Sequence, residues 1–306
     1  MFVYFNRRGR CPHRPAPYRK RTRLGGQPAF FCARPRNTME TIRSFDNSKI
    51  KHVKKLLDDK KYRAEQRGYV AEGVLWVKDA LSYSMFAPDN AKYNLVRAVF
   101  IKESSVDDFV GLIKFAEQKL GADKVFTVAD KVFDKVSDTE HSQEIMAELG
   151  HRPRCLTIES PYILYLDRIR DPGNLGTIIR SAVAAGFDCI FLDNCADIYS
   201  PKVVRSTMGA LLKIEFHDAS GSVHYLKMYH GSKDGYTVFA ADMGGENVFK
   251  LREKPEKVCL IIGSEADGIR PELLAQADKI VSIPMQNTES LNAAVAAGIL
   301  MYQLRG

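Results

Sequence analysis

Two patterns of hydrophobic and polar positions alternate along the carboxyl-terminal half of this chain. Five short runs are rich in Val, Ile, Leu and Phe, which is typical of strands buried on both faces; they occupy residues 162–166, 187–192, 237–241, 258–262 and 280–283. Apolar residues three and four positions apart predict a helix that Asn174 caps and that ends at Gly186. A second helix is predicted over 291–303, with Ser290 as its N-cap. The pattern predicts an α/β domain with a mostly parallel sheet.

A weaker alternation of the same kind lies upstream. Two runs are strand-like and two have helical spacing; they are residues 98–101 and 124–128, and residues 75–83 and 106–120, respectively. Ser105 stands where the N-cap of the helix over 106–120 is expected, and Gly121 stands where that helix should end. These elements predict a second, smaller α/β domain towards the amino terminus.

The segment 44–67 predicts a single amphipathic helix with a basic outer face. Its apolar positions have helical spacing; they are Ile50, Val53, Leu56 and Leu57. Two interpretations stay open, a solvated surface helix and a helix that faces RNA. The second assigns phosphate contacts to four lysines; they are Lys51, Lys54, Lys55 and Lys61.

The positive charge of the chain is unevenly distributed. The formal net charge is +8, but residues 1–38 hold ten of the 45 Lys and Arg residues and no acidic residue. The remaining 268 residues therefore carry 35 basic against 37 acidic side chains. A basic, proline-containing arm of this kind cannot form a packed core and is expected to be disordered. It is a transit peptide, a nucleic-acid-binding tail, or an extension produced by a start site assigned upstream of Met39.

The predicted organisation is therefore a basic arm over 1–38, a smaller α/β domain over 39–155 and a second α/β domain over 156–306. A polar stretch with a proline at 151–160 is the predicted linker. No run of eighteen apolar residues occurs, so no membrane span is expected. The six cysteines lack Cys-x-x-Cys spacing and the histidines do not cluster, which predicts reduced thiols and no metal.

Three ordered motifs carry the chemistry. Residues 171–174 read Asp-Pro-Gly-Asn and open a helix that contains Arg180, residues 263–268 read Gly-Ser-Glu-Ala-Asp-Gly, and residues 290–292 read Ser-Leu-Asn. Together these motifs resemble those of the SpoU/TrmH family of RNA 2'-O-ribose methyltransferases. The resemblance covers roughly residues 160–306, and a weaker likeness to the family's amino-terminal substrate-binding domain begins near Glu72.

The resemblance implies S-adenosyl-L-methionine as cofactor and assigns the site residues. The catalytic positions that it implies are Asn174, Arg180, Glu265, Ser290 and Asn292. The positions whose groups line the cofactor site are Gly263, Ile283, Met285 and Leu291. A further family-like segment at 200–210 places Lys202 and Arg205 near substrate phosphate, although a solvated basic turn explains both residues equally well.

Elementary chemistry limits the roles of two catalytic positions. A guanidinium group stays protonated and has no acceptor atom, so Arg180 cannot be a literal general base. Arg180 is expected to stabilise the developing 2'-oxyanion and to hold an adjacent phosphate. Glu265 is expected to orient a neighbouring group, although a base role stays open.

The resemblance further implies a trefoil-knotted sheet and a homodimer with sites at the subunit interface. The function expected is 2'-O-methylation of structured RNA, with ribosomal RNA favoured because the family's ribosomal branch has an amino-terminal domain. Transfer RNA is the alternative substrate, and a non-catalytic RNA-binding ribosome-assembly factor is the alternative of a different class. The expected location is the cytoplasm, or the mitochondrion if residues 1–38 are a transit peptide.

Overall fold

The protein is described from a computed structural model. The described residues are 39–86, 95–137, 142–152, 160–220, 235–252, 254–288 and 290–305. The expectations for the basic arm over 1–38 lie outside these residues. Most of the predicted linker, residues 153–159, lies outside them too, so the division of the chain at residue 155 stays a prediction.

A five-stranded mixed sheet and the helices that pack on it form the amino-terminal part of the described structure, which we call the first layer. Its strands are β1 (Thr41–Ile42), β2 (Gly68–Glu72), β3 (Val96–Lys102), β4 (Val125–Val128) and β5 (Ile145–Gly150), in the order β1-β4-β3-β5-β2. Strands β1, β3 and β4 run parallel, whereas β5 pairs antiparallel with both β3 and β2. Its helices are α1 (Ser48–Asp58), α2 (Lys60–Gln66), α3 (Val74–Phe86), α4 (Val110–Leu120) and α5 (Asp130–Val136). The predicted amino-terminal α/β architecture is thereby confirmed.

Two local predictions in this region are wrong. The basic helix is broken, because Asp59 has extended backbone angles and its side chain accepts hydrogen bonds from the first amides of α2. An Asp that caps from within a run of helix formers starts a new helix. Ser105 does not cap α4; it ends a short 3-10 helix, and α4 begins only at Val110. The predicted end of α4 at Gly121 is confirmed.

The second layer is a six-stranded sheet in which every described pairing is parallel. Its strands are β6 (Tyr162–Asp167), β7 (Cys189–Asp193), β8 (Glu215–Asp218), β9 (Tyr236–Asn247), β10 (Lys257–Ile262) and β11 (Lys279–Ser282), in the order β11-β9-β10-β6-β7-β8. Its helices are α6 (Pro172–Ala185), α7 (Pro201–Thr207), α8 (Pro271–Leu274) and α9 (Ala293–Leu304). Because the strands are parallel, their carboxyl ends share one edge, where open α/β sheets bind ligands.

Both helix caps predicted in the second layer are displaced by two or three residues. Asp171, not Asn174, caps α6, and its carboxylate accepts from the amide of Asn174 at 2.7 Å. Asn292, not Ser290, caps α9 by accepting from the amides of Ala294 and Val295. The end of α6 at Gly186 is confirmed, since this residue has a left-handed backbone.

The two sheets pack through a shared core and one buried ion pair. Apolar side chains of β2 and β5 belong to the same buried cluster as those of β6. Arg63 of α2 is only 5% exposed; its guanidinium donates to the carboxylate of Asp197 at 2.8 Å and to the carbonyl oxygens at the end of α1. Beside this pair the ring of Tyr199 stacks on that of His151, with centroids 3.8 Å apart. The first layer is thereby held near the carboxyl ends of β7 and β8.

Candidate active site

A cleft of about 270 Å³ opens at the carboxyl ends of β10 and β11, beside the middle of β9. The four positions predicted to line a cofactor site all border this space, which we call the cofactor cleft after that prediction; they are Gly263, Ile283, Met285 and Leu291. Further apolar walls come from α9, through Ala296 and Leu300. Pockets of this kind, mostly apolar with a few polar groups, are typical of small-molecule sites.

Position 263 requires glycine because the chain itself fills the space beside it. A Cβ atom on Gly263 would lie 2.3 Å from the backbone carbon and oxygen of Gly268 and 2.5 Å from the amide nitrogen of Ile269. The clash is therefore with the backbone of the loop that follows β10. Gly263 lets the loop 264–268 fold back against the end of β10, where Ser264 and Gly268 form a backbone bridge.

Three predicted catalytic side chains meet in one hydrogen-bonded cluster. Oε1 of Glu265 accepts from Nδ2 of Asn174 at 2.8 Å, from Nδ2 of Asn292 at 2.8 Å and from the amide of Ala293 at 2.9 Å. Nδ2 of Asn292 also donates to Oδ1 of Asn174 at 2.9 Å. We call these three side chains the Glu265 cluster. It joins the starts of α6 and α9 to the loop that follows β10.

The Glu265 cluster stands between two spaces. A second chamber of about 200 Å³ lies on the β6 side of the cofactor cleft and is bordered by Arg168, Arg170 and Asn174. Both spaces are bordered by Ser264, Glu265, Ala266 and Ala293. A group bound in the first space would therefore face a group bound in the second across the Glu265 cluster. Ser290 borders the cofactor cleft but, among the described residues, its side chain takes no part in the hydrogen bonds of the cluster.

Arg180 is not part of this cluster. It is exposed on α6 and lies six residues after Asn174, which places it about 240° around the helix and about 9 Å further along its axis. Because of this rotation, its side chain leaves α6 on a different face from that of Asn174. Within one chain, the structure does not bring the two residues of the first motif together.

A buried charge network that sequence analysis missed lies behind the Glu265 cluster. The carboxylates of Asp167 and Asp193, at the ends of β6 and β7, are 0% exposed. The guanidinium of Arg270 donates to both, and its backbone amide donates to Asp167 at 3.0 Å. Arg168 adds bonds to Asp167 and to the carbonyl of Gly268. Arg270 thus anchors the carboxyl-terminal end of the loop that carries Glu265.

The predicted RNA-binding lysines have local partners in most cases. Lys51, Lys54 and Lys61 form ion pairs with Asp46 at 2.8 Å, Asp58 at 3.1 Å and Glu65 at 3.9 Å, respectively. The ammonium of Lys55 lies over the ring of Tyr62. On α7, Lys202 is exposed and Arg205 is partly buried. Their contact with RNA stays a prediction.

The described residues give little support for a metal site, a reactive thiol or a membrane span. There, no group of three or more His, Cys, Asp or Glu side chains is arranged to hold a metal ion. The three cysteines in these ranges are free thiols, and burial raises the pKa of Cys195 and Cys259 to about 12. None of the helices in this part of the chain is long and apolar enough to cross a bilayer.

Two family models and a curated relative match this chain. Residues 161–302 match the model of the SpoU rRNA Methylase family, and residues 47–147 match that of the MRM3-like substrate binding domain. The chain is 32% identical over 272 residues to the 23S rRNA (guanosine(2553)-2'-O)-methyltransferase RlmP of Bacillus subtilis, covering 88% of this chain and 100% of that protein.

Two solved structures have a similar fold. An AdoMet-bound rRNA methyltransferase from Sinorhizobium meliloti is 28% identical and superposes with a TM-score of 0.72, covering 87% of this chain and 97% of that one. An RNA methyltransferase of the TrmH family from Porphyromonas gingivalis, itself described as putative, is 26% identical with a TM-score of 0.69 over 85% of this chain and 98% of that one. The motifs, the parallel sheet and these likenesses together show that the chain belongs to the SpoU/TrmH family of RNA methyltransferases.

Proposed function

We propose that this protein transfers the methyl group of S-adenosylmethionine to a ribose 2'-hydroxyl of ribosomal RNA. The observation that carries the proposal is the position of the Glu265 cluster on the wall common to two spaces. When bound, S-adenosylmethionine supplies a methyl group on a positively charged sulfur. Methyl transfer by in-line displacement requires the accepting oxygen to be aligned with that group.

The first space suits the cofactor. Its walls of Ile283, Met285 and Leu291 give an apolar surface against which an adenine ring packs, and the loop from 283 to 291 offers backbone polar groups for its edge. The relative from Sinorhizobium meliloti was solved with AdoMet bound, which supports the assignment. The second chamber, with Arg168 and Arg170 on its border, takes the target nucleotide and its phosphate.

Within the Glu265 cluster, the carboxylate orients the two asparagines. Oε1 of Glu265 already accepts three N–H groups, so it holds Asn174 and Asn292 in place more readily than it removes a proton. The asparagines position the ribose. Ser290, on the border of the cofactor cleft, lies where it can hydrogen-bond either the ribose or the cofactor.

Arg180 completes the site from a second copy of the chain. Its place on a different face of α6 from Asn174 favours a role in a partner's site. Exposed apolar residues support a homodimer, because Val295 and Tyr302 lie seven positions apart on one face of α9 and are 51% and 56% exposed. In the dimer, the partner's guanidinium stabilises the developing 2'-oxyanion while phosphate or water accepts the proton. The trefoil knot belongs to this proposal as a family property.

Ribosomal RNA is favoured over transfer RNA by two findings. The relative from Bacillus subtilis is named as a 23S rRNA methyltransferase, and the first layer matches a substrate-binding domain model. The intact Glu265 cluster argues against a non-catalytic assembly factor. We place the enzyme in the cytoplasm, where bacterial ribosomal RNA is made and modified.

Mass-spectrometric mapping of ribose methylation tests the proposal. RNA from a strain that lacks the gene should lose one 2'-O-methyl group from ribosomal RNA, and the purified protein should restore that group in the presence of S-adenosylmethionine. Loss of a methyl group from transfer RNA alone would identify transfer RNA, and not ribosomal RNA, as the substrate. Unchanged methylation of both RNA classes would refute the enzyme activity.

A further inference from the structure

A large cleft lies where α2 of the first layer faces the carboxyl ends of β7 and β8. Its volume is about 810 Å³, and its borders include Lys60, Arg67, Arg152, Tyr199 and Phe216. We infer that this cleft binds single-stranded RNA that flanks the target nucleotide. This inference rests on the proposed function and adds a binding site for the substrate beyond the methyl-transfer chambers.

The wall formed by α2 presents a repeating cationic face. Lys60 and Ala64 border the cleft one turn apart on α2, and Arg67, which ends this helix in a left-handed conformation, borders it too. The small side chain of Ala64 leaves space between the two cations. Among the described residues, neither Lys60 nor Arg67 forms an ion pair, whereas Lys61 on another face of α2 pairs with Glu65.

The charge inside the cleft is positive even after its acids are counted. Asp197 borders the cleft, but the buried guanidinium of Arg63 neutralises it at 2.8 Å. Asp218 is then the remaining acid, against the cations of Lys60, Arg67 and Arg152. Because residues 39–306 carry more acids than bases, this local excess is distinctive. Cations that lack a protein partner are those that can replace the counterions of RNA phosphate.

The opposite wall supplies aromatic rings. Phe216 of β8 is half-buried and borders the cleft, and Tyr199 and His151 lie at its floor as a stacked pair. Burial, with the charge of Arg67 nearby, lowers the pKa of His151 to about 4, so its ring is neutral at physiological pH. Grooves that combine cations with half-exposed aromatic rings are typical of sites for single-stranded nucleic acid.

The cleft lies next to the second chamber of the proposed methyl-transfer site. Ile169 borders the second chamber and Ala196 borders the cleft, and the amide of Ala196 donates to the carbonyl of Ile169 at 2.9 Å. Strands β6 and β7 are neighbours, so the two spaces are separated by about 5 Å of sheet width. An RNA strand whose target ribose enters the second chamber can therefore continue into the cleft.

The test compares two double variants that each remove two positive charges. The first, Lys60→Ala with Arg67→Asn, acts in the cleft; Asn is chosen because residue 67 has a φ of +46° and Asn tolerates that backbone. The matched control, Lys114→Ala with Lys131→Ala, removes two exposed lysines of α4 and α5 that form no ion pair among the described residues. Circular dichroism establishes that both variants are folded. RNA binding is measured on an oligouridylate of twenty nucleotides over a series of salt concentrations.

We expect the cleft variant to bind the oligouridylate about tenfold more weakly and to lower the slope of log K against log salt by about 1.4, since each single-strand phosphate contact contributes about 0.7. The Lys114 and Lys131 control should keep the wild-type slope. An unchanged slope in the cleft variant, or an equal loss in the control, overturns the inference. Phosphate contacts do not depend on the base sequence of the RNA. The binding test therefore decides the inference even if the methylation assay shows that ribosomal RNA is not the substrate.

Discussion

Asn292 and Glu265 are 27 positions apart in sequence, yet Nδ2 of Asn292 donates to Oε1 of Glu265 at 2.8 Å. The same asparagine caps α9 through its Oδ1 atom. The side chain of Asn292 thus holds both the first turn of α9 and the carboxylate of Glu265 in the proposed active site. The loop after β10, α6 and α9 therefore form a single hydrogen-bonded unit around one carboxylate.

Replacing Glu265 by Ala should reduce methyl transfer roughly 100-fold, because three N–H groups lose their common acceptor and the asparagines lose their orientation. Glu265→Gln keeps one accepting oxygen and should be milder. Glu272→Ala, at another exposed glutamate seven residues on, serves as the control. Single-turnover methylation with tritiated cofactor measures the effect; a Glu265→Ala variant as fast as the control would remove Glu265 from the site.

Arg180→Ala should abolish methyl transfer and leave S-adenosylmethionine affinity largely intact, as measured by calorimetry. Arg180→Lys should also be poor, since an ammonium group cannot make planar, bidentate contacts. If Arg180 acts across a dimer, an equal mixture of Arg180→Ala and Glu265→Ala subunits should recover about a quarter of wild-type activity, because half of the dimers contain one complete site. A mixture as inactive as its components would place Arg180 in its own subunit's site or outside catalysis.

Gly263→Ala should lower the free energy of unfolding by about 1–3 kcal/mol, because the new methyl group meets the backbone of Gly268 and Ile269. Cofactor affinity should fall with it, since the loop 264–268 borders the cofactor cleft. Gly298→Ala, in α9, is the control; its Cβ meets nothing within 4 Å, and the change should be neutral or stabilising. Urea denaturation distinguishes the two variants, and equal stabilities would contradict the packing argument.

His151 should make the protein sensitive to acid. Burial lowers its pKa from 6.5 to about 4, so the unfolded chain binds more protons than the folded chain between these values. Stability should therefore fall as the pH drops from 6.5 to 4. His151→Phe keeps a ring for stacking on Tyr199 and should show a shallower loss over this interval. The melting temperature of each protein is measured between pH 6.5 and pH 4. An equal fall in melting temperature for the two proteins would assign the acid sensitivity to other groups.

Apolar runs and motif order together predicted most of the catalytic layer. Five strands of the parallel sheet were found because burial on both faces leaves an uninterrupted hydrophobic run. Strand β8 was missed, since Glu215–Asp218 carries two acids and a histidine at the edge of the sheet. The caps were displaced because several cap-forming residues stand close together before α6 and α9, and spacing alone does not choose among them.

The remainder of the site depends on long-range pairing that no local pattern contains. Arg270 lies 103 positions from Asp167 and 77 from Asp193, and nothing in its immediate sequence distinguishes it from a surface arginine. The ion pair between Arg63 and Asp197, which fixes the first layer against the second, spans 134 positions. Such contacts follow from the packing of the two sheets and are visible only in three dimensions.

The loop from Ser264 to Arg270 has a practical consequence for inhibitor design. Ser264 borders both spaces, Glu265 holds the two asparagines, and Arg270 is anchored to buried carboxylates. A compound that enters only the cofactor cleft and displaces this loop should also disturb the proposed nucleotide site, because Glu265 orients Asn174 and Asn292. Because one short segment borders both spaces, a single small ligand is expected to inhibit the proposed reaction without competing directly with RNA.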